Sequence, residues 1–336
     1  MKRGTASIDR DTEVQQIAKT LGIVGPDLKA KLCAAAVQRV AREMERFKIV
    51  PGTLDDVHEF VLNMTGVRVE RVGDDGDLAR ISRKYEKRQA AIGVQLEFEF
   101  ARKTEALVFR DEGADVRQPT FTAVVDARGE RAFRAWFAER HEPAHLLVPD
   151  PSGKLAWRRT TGERPEPVEQ VIDAIASQVG FWEPLVLPVL QVALAQEASV
   201  LDAFDRAWRE LAPAASQEAS YRAFARLVPF PLTIVRTEFA SRRSDKKNAE
   251  GSLALRATTV MWNDAAERAG TTVWPNFRIP AHSIIHQARE DFFKAVHVAH
   301  DDLNAWRSET SGPLSSRALP VRVTARGAWA TIECAG

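Results

Sequence analysis

The stretch RAFRAWFAERHEPAHLLV, residues 131–148, decides how this chain is read. Inside it lies HEPAH: His141, Glu142, Pro143, Ala144 and His145. Histidines four apart share one face of an α-helix. With a glutamate after the first they form the metal-binding pattern of zinc peptidases, provided the stretch is helical. Proline is the residue least suited to a helix interior, so the reading turns on whether a helix survives Pro143.

Periodicity answers much of that question. Phe133, Trp136, Phe137, Ala144, Leu147 and Val148 fall on a single apolar helical face, and its phase is the same before and after the proline. Phe133, Phe137, His141 and His145 form one row on that face. Pro143 offers no N–H to the carbonyl of Glu139 and crowds it, a cost of about 3 kcal/mol in an ordinary helix interior. The sequence therefore predicts a kinked helix from Glu130 to about Val148, both histidines facing one way, with the Glu139 carbonyl left to another donor.

A catalytic zinc takes three protein ligands and keeps one position open. The next helix, predicted from Val168, reads VEQVIDAIA and places Glu169 and Asp173 on one face, four residues apart. Glu169 is the candidate third ligand, with Glu166, between two prolines, as its competitor. Asp173 could accept the free ring N–H of His141 or His145 and so fix its tautomer. Glu142 points elsewhere on its helix and suits a general base, taking a proton from the attacking water and delivering it to a leaving amine. The plainer alternatives are a buried helix whose histidines are held by hydrogen bonds and an acidic pair favoured at a helix N-terminus.

Outward from this region the chain reads as an ordinary globular protein. Its 336 residues exceed what one core usually serves, which predicts more than one domain. Hydrophobic residues make up 45% and charged ones 28%, and the formal net charge is +1. So near a balance gives no electrostatic reason to expect nucleic acid or a membrane surface as the main partner. The two cysteines, Cys33 and Cys334, lie at opposite ends and cannot build a disulfide framework or a zinc ribbon. No apolar run approaches the ~18 residues of a membrane span, and the start MKRGTASIDRDTEVQQ lacks the apolar core of a signal peptide. The expectation is a cytoplasmic protein with no membrane partner.

Helical patterns occupy about Glu13–Phe47, broken by GIVGPD at 22–27, and a third helix follows TLDD with Thr53 or Asp55 as N-cap. Val67–Val72, GVQLEFEF (93–100), TEALVFR (104–110) and TFTAVVDA (120–127) read as strands, with GDDGD as a loop. Beyond the second motif helix come helical segments at Leu187–Glu197 and Val200–Leu211, and a linker at 212–218 followed by the helical pattern YRAFARLV. The last third changes character. PLTIVRTEFA, SLALRATTVMW, TTVWPNFRIP and LPVRVTARGAWATIEC read as strands of an antiparallel sheet, with a long helix at His282–Trp306 among them.

With these elements placed, RAWFAERHEPAHLLV resembles the first motif helix of the ImmA/IrrE metallopeptidases through Arg134, Phe137, His141, Glu142, His145, Leu146 and Leu147. VEQVIDAIA is similar to their second, E-x-x-A-N-x-F-A, with Glu169 at the ligand position and Ile172–Asp173 and Ile175–Ala176 at the other paired positions. The resemblance spans about residues 50–190. Arg140 stands where the family has a small residue, Pro143 stands inside the motif, and the Leu-Leu-x-Pro ending is blurred into GFWEPLVLP. The element order predicts an α+β protein in three parts: a helical N-terminal segment (1–48), a middle domain (49–212) and a C-terminal antiparallel α/β regulatory or sensor domain (219–336), GAF-like or PAS-like on architecture alone. The resemblance makes the middle part a zincin-like metallopeptidase domain. It implies Zn2+ as cofactor, held by His141, His145 and Glu169 with Asp173 behind them and Glu142 as catalytic base. The implied substrate is one specific protein, a transcriptional repressor or a stress or defence regulator. Apart from the resemblance, the C-terminal domain is the expected place for a small-molecule or other activator.

Other constellations weigh less. His282, His286 and Glu290, then His297 and His300, mark polar spots of the predicted C-terminal helix, where HSIIH lacks a glutamate after its first histidine. AKTLGIVGPDLKAKL (18–32) has the outline of a helix-turn-helix, as many helical hairpins do. RRSDKKN (242–248) reads as a solvated loop. Tyr85 and Tyr221, the only tyrosines, sit in no motif. The alternative function is a non-catalytic regulatory or DNA-binding protein with a structural or inactive metal site.

Overall fold

The computed structural model describes residues 8–88, 90–102, 104–111, 121–149, 156–160, 166–241, 253–291, 295–311 and 318–335. The chain forms two compact units, residues 1–185 with 211–219 and residues 186–210 with 220–336. Both mix helices with a sheet, the α+β class the sequence predicts.

The first unit opens with α1 (Thr12–Thr20), α2 (Leu28–Arg46) and α3 (Leu54–Thr65). Each start is fixed by a carboxylate or hydroxyl that satisfies orphan backbone donors. Asp11 accepts from the N–H of Glu13 and Val14, and Asp9 from those of Asp27 and Leu28. Thr53 and Asp56 form a reciprocal capping box on α3. Then come β1 (Val67–Val72), α4 (Asp75–Glu86), α5 (Ala90–Ala101), β2 (Thr104–Arg110) and β3 (Phe121–Asp126). The motif helix α6 (Ala132–Ala144) runs into a 3₁₀ turn at His145–Leu147, and β4 (Ala156–Thr160) and α7 (Pro167–Gly180) complete the unit's main elements.

The four strands lie in the order β1-β3-β2-β4, with β1 parallel to β3 and the other pairs antiparallel. Because β2 and β3 are covered on both faces, they read as nearly unbroken apolar runs. On one face Leu107, Phe109 and Val124 pack with Ile81 and Tyr85 of α4 and Leu96 and Phe100 of α5. Each such side chain contributes about 1.5–3 kcal/mol when fully buried. On the opposite face Ala106 and Val125 meet Ala135 and Ala138 of α6. Small residues on both sides let α6 lie close to the sheet, and α7 packs along α6, with α2 and α3 against it.

Four expectations are corrected. GVQLEFEF is helix α5, not a strand, and GDDGD already contains the start of α4. Gly93 explains the first: a Cβ there would sit 2.6 Å from the backbone N of Glu86, so its absence lets α5 close against α4. In the helix, the alternating apolar residues divide into two i, i+4 pairs, with Leu96 and Phe100 buried and Val94 and Phe98 exposed. In the second unit, the helix predicted over His282–Trp306 is instead α12, β7 and α13. TTVWPNFRIP forms no strand: one bridge, Arg278 to Arg256, and backbone hydrogen bonds with Leu255 and Ala257 tie it to the strand 254–262, and Asn276 after Pro275 adopts φ +65°.

The second unit holds most of α8 (Glu183–Gln196), α9 (Val200–Leu211) and α10 (Gln217–Leu227). These are followed by β5 (Leu232–Ala240), β6 (Ala254–Trp262), α11 (Asp264–Ala269), α12 (Ile284–Glu290), β7 (His297–Asp302), α13 (Leu303–Ser311), β8 (Pro320–Arg326) and β9 (Trp329–Cys334). The sheet is antiparallel in the order β6-β5-β9-β8-β7. One face carries Val235, Val321, Val323, Ala330 and Ile332 against Ile285 of α12 and Trp306 of α13. On the other, Trp329 packs against Tyr221 of α10, and Arg326 pairs with Asp202 and Asp205 of α9. Among the described residues no single helix is long and apolar enough to cross a membrane. The turn expected at PDPSGK, most of the loop TTGERPEP, and RRSDKKN lie outside the described residues.

Candidate metal centre

The helix survives its proline. α6 runs through Pro143 to Ala144 and tightens into the 3₁₀ turn at His145, which needs fewer α-type hydrogen bonds. The predicted row keeps its phase: the rings of Phe137 and His141 lie 6.3 Å apart and those of His141 and His145 5.0 Å apart. The side chain of Phe133 lies outside the described residues.

The second helix arrives where the spacing put it. Pro167 begins α7, a position that needs no N–H, and Glu169 falls in its first turn beside α6. His141 Nε2 lies 3.1 Å from Glu169 Oε2 and 3.2 Å from His145 Nε2, and His145 Nε2 lies 3.7 Å from Glu169 Oε1. The three donor atoms lie within 4.8 Å of one another. Ligands at ~2.0–2.1 Å from one tetrahedral ion stand about 3.3 Å apart, so these separations fit without rearrangement. Among the described residues this is the one cluster of three or more histidine, cysteine or carboxylate ligand atoms placed to hold a metal. Glu166, the competitor, is the exposed N-cap residue of α7 and takes no part.

The donor set itself calls for a cation. His141 Nδ1 lies 3.0 Å from Asp173 Oδ1, the contact expected one turn beyond Glu169. A neutral His141 that donates Nδ1–H to Asp173 turns the bare lone pair of Nε2 toward the carboxylate of Glu169 and the ring of His145. Acceptors converging at this distance repel unless a metal ion or a proton lies between them. Burial alone would raise the pKa of Glu169. With a proton in place of a metal ion, the hydrogen bond from His141 and the charge of the two imidazoles outweigh burial and hold the carboxyl below its usual range. His141 and Glu142 are 1% and 0% exposed, while the side chains of Glu169 and Asp173 keep 23% and 36%, so the site is closed on the α6 side and reached by water on the α7 side.

Sequence reasoning missed the ring of charges behind α6. Arg140 is buried, with its guanidinium stacked 3.7 Å from the centre of the Trp136 ring. Its Nη1 donates to the Trp136 carbonyl at 3.0 Å, and Nη2 donates to Asp55 of α3 at 2.6 Å. Burial pushes its pKa down to about 10, with Asp55 opposing that shift. Beside it Glu139 takes both arms of Arg71, with Nη2 at 2.7 Å. The position before the first histidine thus anchors α6 to α3. A signal was present: an arginine between a core tryptophan and a candidate metal ligand needs a carboxylate, and α3 opens with Asp55 and Asp56.

The other candidates disperse. Tyr85 lies on the sheet face away from α6, donating to Glu70 at 2.8 Å, and Tyr221 of the second unit donates to Asp205 at 2.5 Å. His286 meets the Ile279 carbonyl, and His297, on β7, meets Asp291 at 3.0 Å. His300 is exposed on the same strand. No model of a known protein family matches the chain, and no curated protein matches it in sequence.

Proposed function

We propose that the protein is a zinc-dependent endopeptidase of zincin-like fold that cleaves a specific protein partner. The observation that carries this reading is the meeting of His141, His145 and Glu169, with Glu142 fully buried between the histidines on the same helix. Bound zinc would acidify a water molecule and polarise the scissile carbonyl. The chain's own residues do the rest. Asp173 sets the His141 tautomer, and Glu142 takes the proton of the attacking water and passes it to the leaving amine. The resemblance of the two motif helices to the ImmA/IrrE metallopeptidases supports one selective cut in a repressor or a stress or defence regulator. The second unit, an antiparallel sheet with helices on both faces, then serves as a GAF-like or PAS-like sensor that controls the peptidase.

The deciding experiment pairs metal analysis with a search for new protein ends. One zinc per chain is expected in the wild type and in Glu142→Gln, and sharply less in His141→Ala and Glu169→Ala. In cells, the wild type should create new protein N-termini that Glu142→Gln does not. Identical termini from both zinc-loaded proteins would sink the peptidase reading and leave a non-catalytic regulator with a structural metal site.

A further inference from the structure

His145 stands at the weakest point of the motif helix. The α-helix ends at Ala144, immediately before it, and Pro143 cannot donate a backbone hydrogen bond to Glu139. The following 3₁₀ turn, His145–Leu147, leaves its last carbonyl groups without helical donors before the chain turns extended at Val148. A zinc ligand must be placed within a few tenths of an ångström, and a fraying helix end does not do that by itself.

The missing support comes from the N-terminal segment. Arg39, in the middle of α2, directs Nη1 at two successive carbonyl oxygens, Leu146 at 3.2 Å and Leu147 at 3.0 Å. A guanidinium suits this place twice. Its charge complements the negative end of the helix, and the two N–H bonds of Nη1, fixed in the guanidinium plane, reach both oxygens at once, where the donors of an ammonium rotate freely. α2 is itself fixed, since Leu32, Ala36 and Val40 of the same helix are buried and α2 packs along α7, which carries Glu169. One helix therefore braces the element that holds the third ligand and clamps the turn that holds the second.

We infer that Arg39 is a positioning residue of the metal centre, and that the N-terminal helices complete the site rather than form a separate module. This rests on the reading of His141, His145 and Glu169 as a metal site. Arg39 touches neither metal nor substrate. It fixes where the His145 imidazole stands, as outer-shell partners do for other ligands.

The test is titration of the full metal-free chain with cobalt(II), whose visible spectrum reports ligand geometry, for the wild type, Arg39→Met and Arg39→Lys. Cobalt affinity should fall by about tenfold or more in Arg39→Met, in the range usual for outer-shell losses. The absorption bands should shift, and the thermal midpoint of the metal-free protein should stay near that of the wild type. Arg39→Lys should fall between the two, and it decides the matter if the methionine variant does not fold. Wild-type affinity and spectrum in a folded Arg39 variant would overturn the inference and leave the metal site standing. A large drop in the metal-free midpoint that accounts for the lost affinity would also overturn it, by showing a merely structural contact. Failure of the wild type itself to bind cobalt would overturn the metal reading and this inference together.

Discussion

Asp173 holds His141 by its far side: Oδ1 of the one lies 3.0 Å from Nδ1 of the other, while Nε2 of the same ring faces Glu169 at 3.1 Å. The ring is thus gripped across its width, and α7 supplies both grips from positions one turn apart. Asp173 is not a ligand, yet it decides which ring nitrogen offers a lone pair.

That contact yields the first prediction. Replacing Asp173 by Ala frees the ring to rotate and to change tautomer, so zinc affinity should fall by about 10–100-fold, the usual range for an outer-shell carboxylate. Asp173→Asn keeps an acceptor oxygen but not the charge, and its loss should be smaller. Competition with a fluorescent zinc chelator measures both. Equal affinity in wild type and Asp173→Ala would show that the packing of α6 alone orients the ring.

A second prediction concerns Gly180, the last residue of α7. A Cβ built there would come 2.9 Å from Cδ of Arg140 and 3.6 Å from the Trp136 ring. Arg140 has little freedom to yield, because its guanidinium is stacked on Trp136 and tied to Asp55. Overpacking of this kind costs about 1–3 kcal/mol. Gly180→Ala should therefore lower the urea midpoint of unfolding and weaken zinc binding with it. The double variant Gly180→Ala with Arg140→Ala should recover part of the packing cost. An unchanged midpoint in Gly180→Ala would mean that the arginine moves aside freely.

Much of the site was legible because its chemistry is periodic. His141, His145, Glu169 and Asp173 are spaced by single helical turns, and helices at those places bring the side chains together. Residues related only through the tertiary fold left a weaker mark. Arg39 lies more than a hundred positions before the carbonyl groups it clamps, and nothing in LCAAAVQRV announces a partner. The strand errors have a local cause. In GVQLEFEF every second residue is apolar, a pattern that serves a strand but also divides into helical pairs, and a backbone contact at Gly93 selects the helix. In the stretch 282–306 the reverse holds. Residues with a helical outline are drawn into β7 by six-residue pairing with β8, and Asp302, whose carboxylate accepts from the Asn304 N–H, starts a new helix.

The last prediction uses His58 on α3. Burial, with added repulsion from Arg140 and then Arg71, pushes its pKa from the ordinary 6.5 down to about 3. Between those two values the unfolded chain takes up a proton that the native protein refuses. Acidification through that window therefore favours unfolding, and the stability present above pH 6.5 drains away as pH falls toward 3. For one such histidine the loss between pH 7 and pH 5 is about 2 kcal/mol at most, reduced by whatever solvent reaches the half-buried ring. His58→Gln keeps a polar side chain of similar reach that does not titrate. In metal-free protein its stability relative to the wild type should rise steadily from pH 7 to pH 5 in urea titrations. A difference that stays constant across this range would mean that His58 charges as readily in the folded protein as in the unfolded chain, and that Arg140 and Arg71 spend their charge on Asp55 and Glu139 alone.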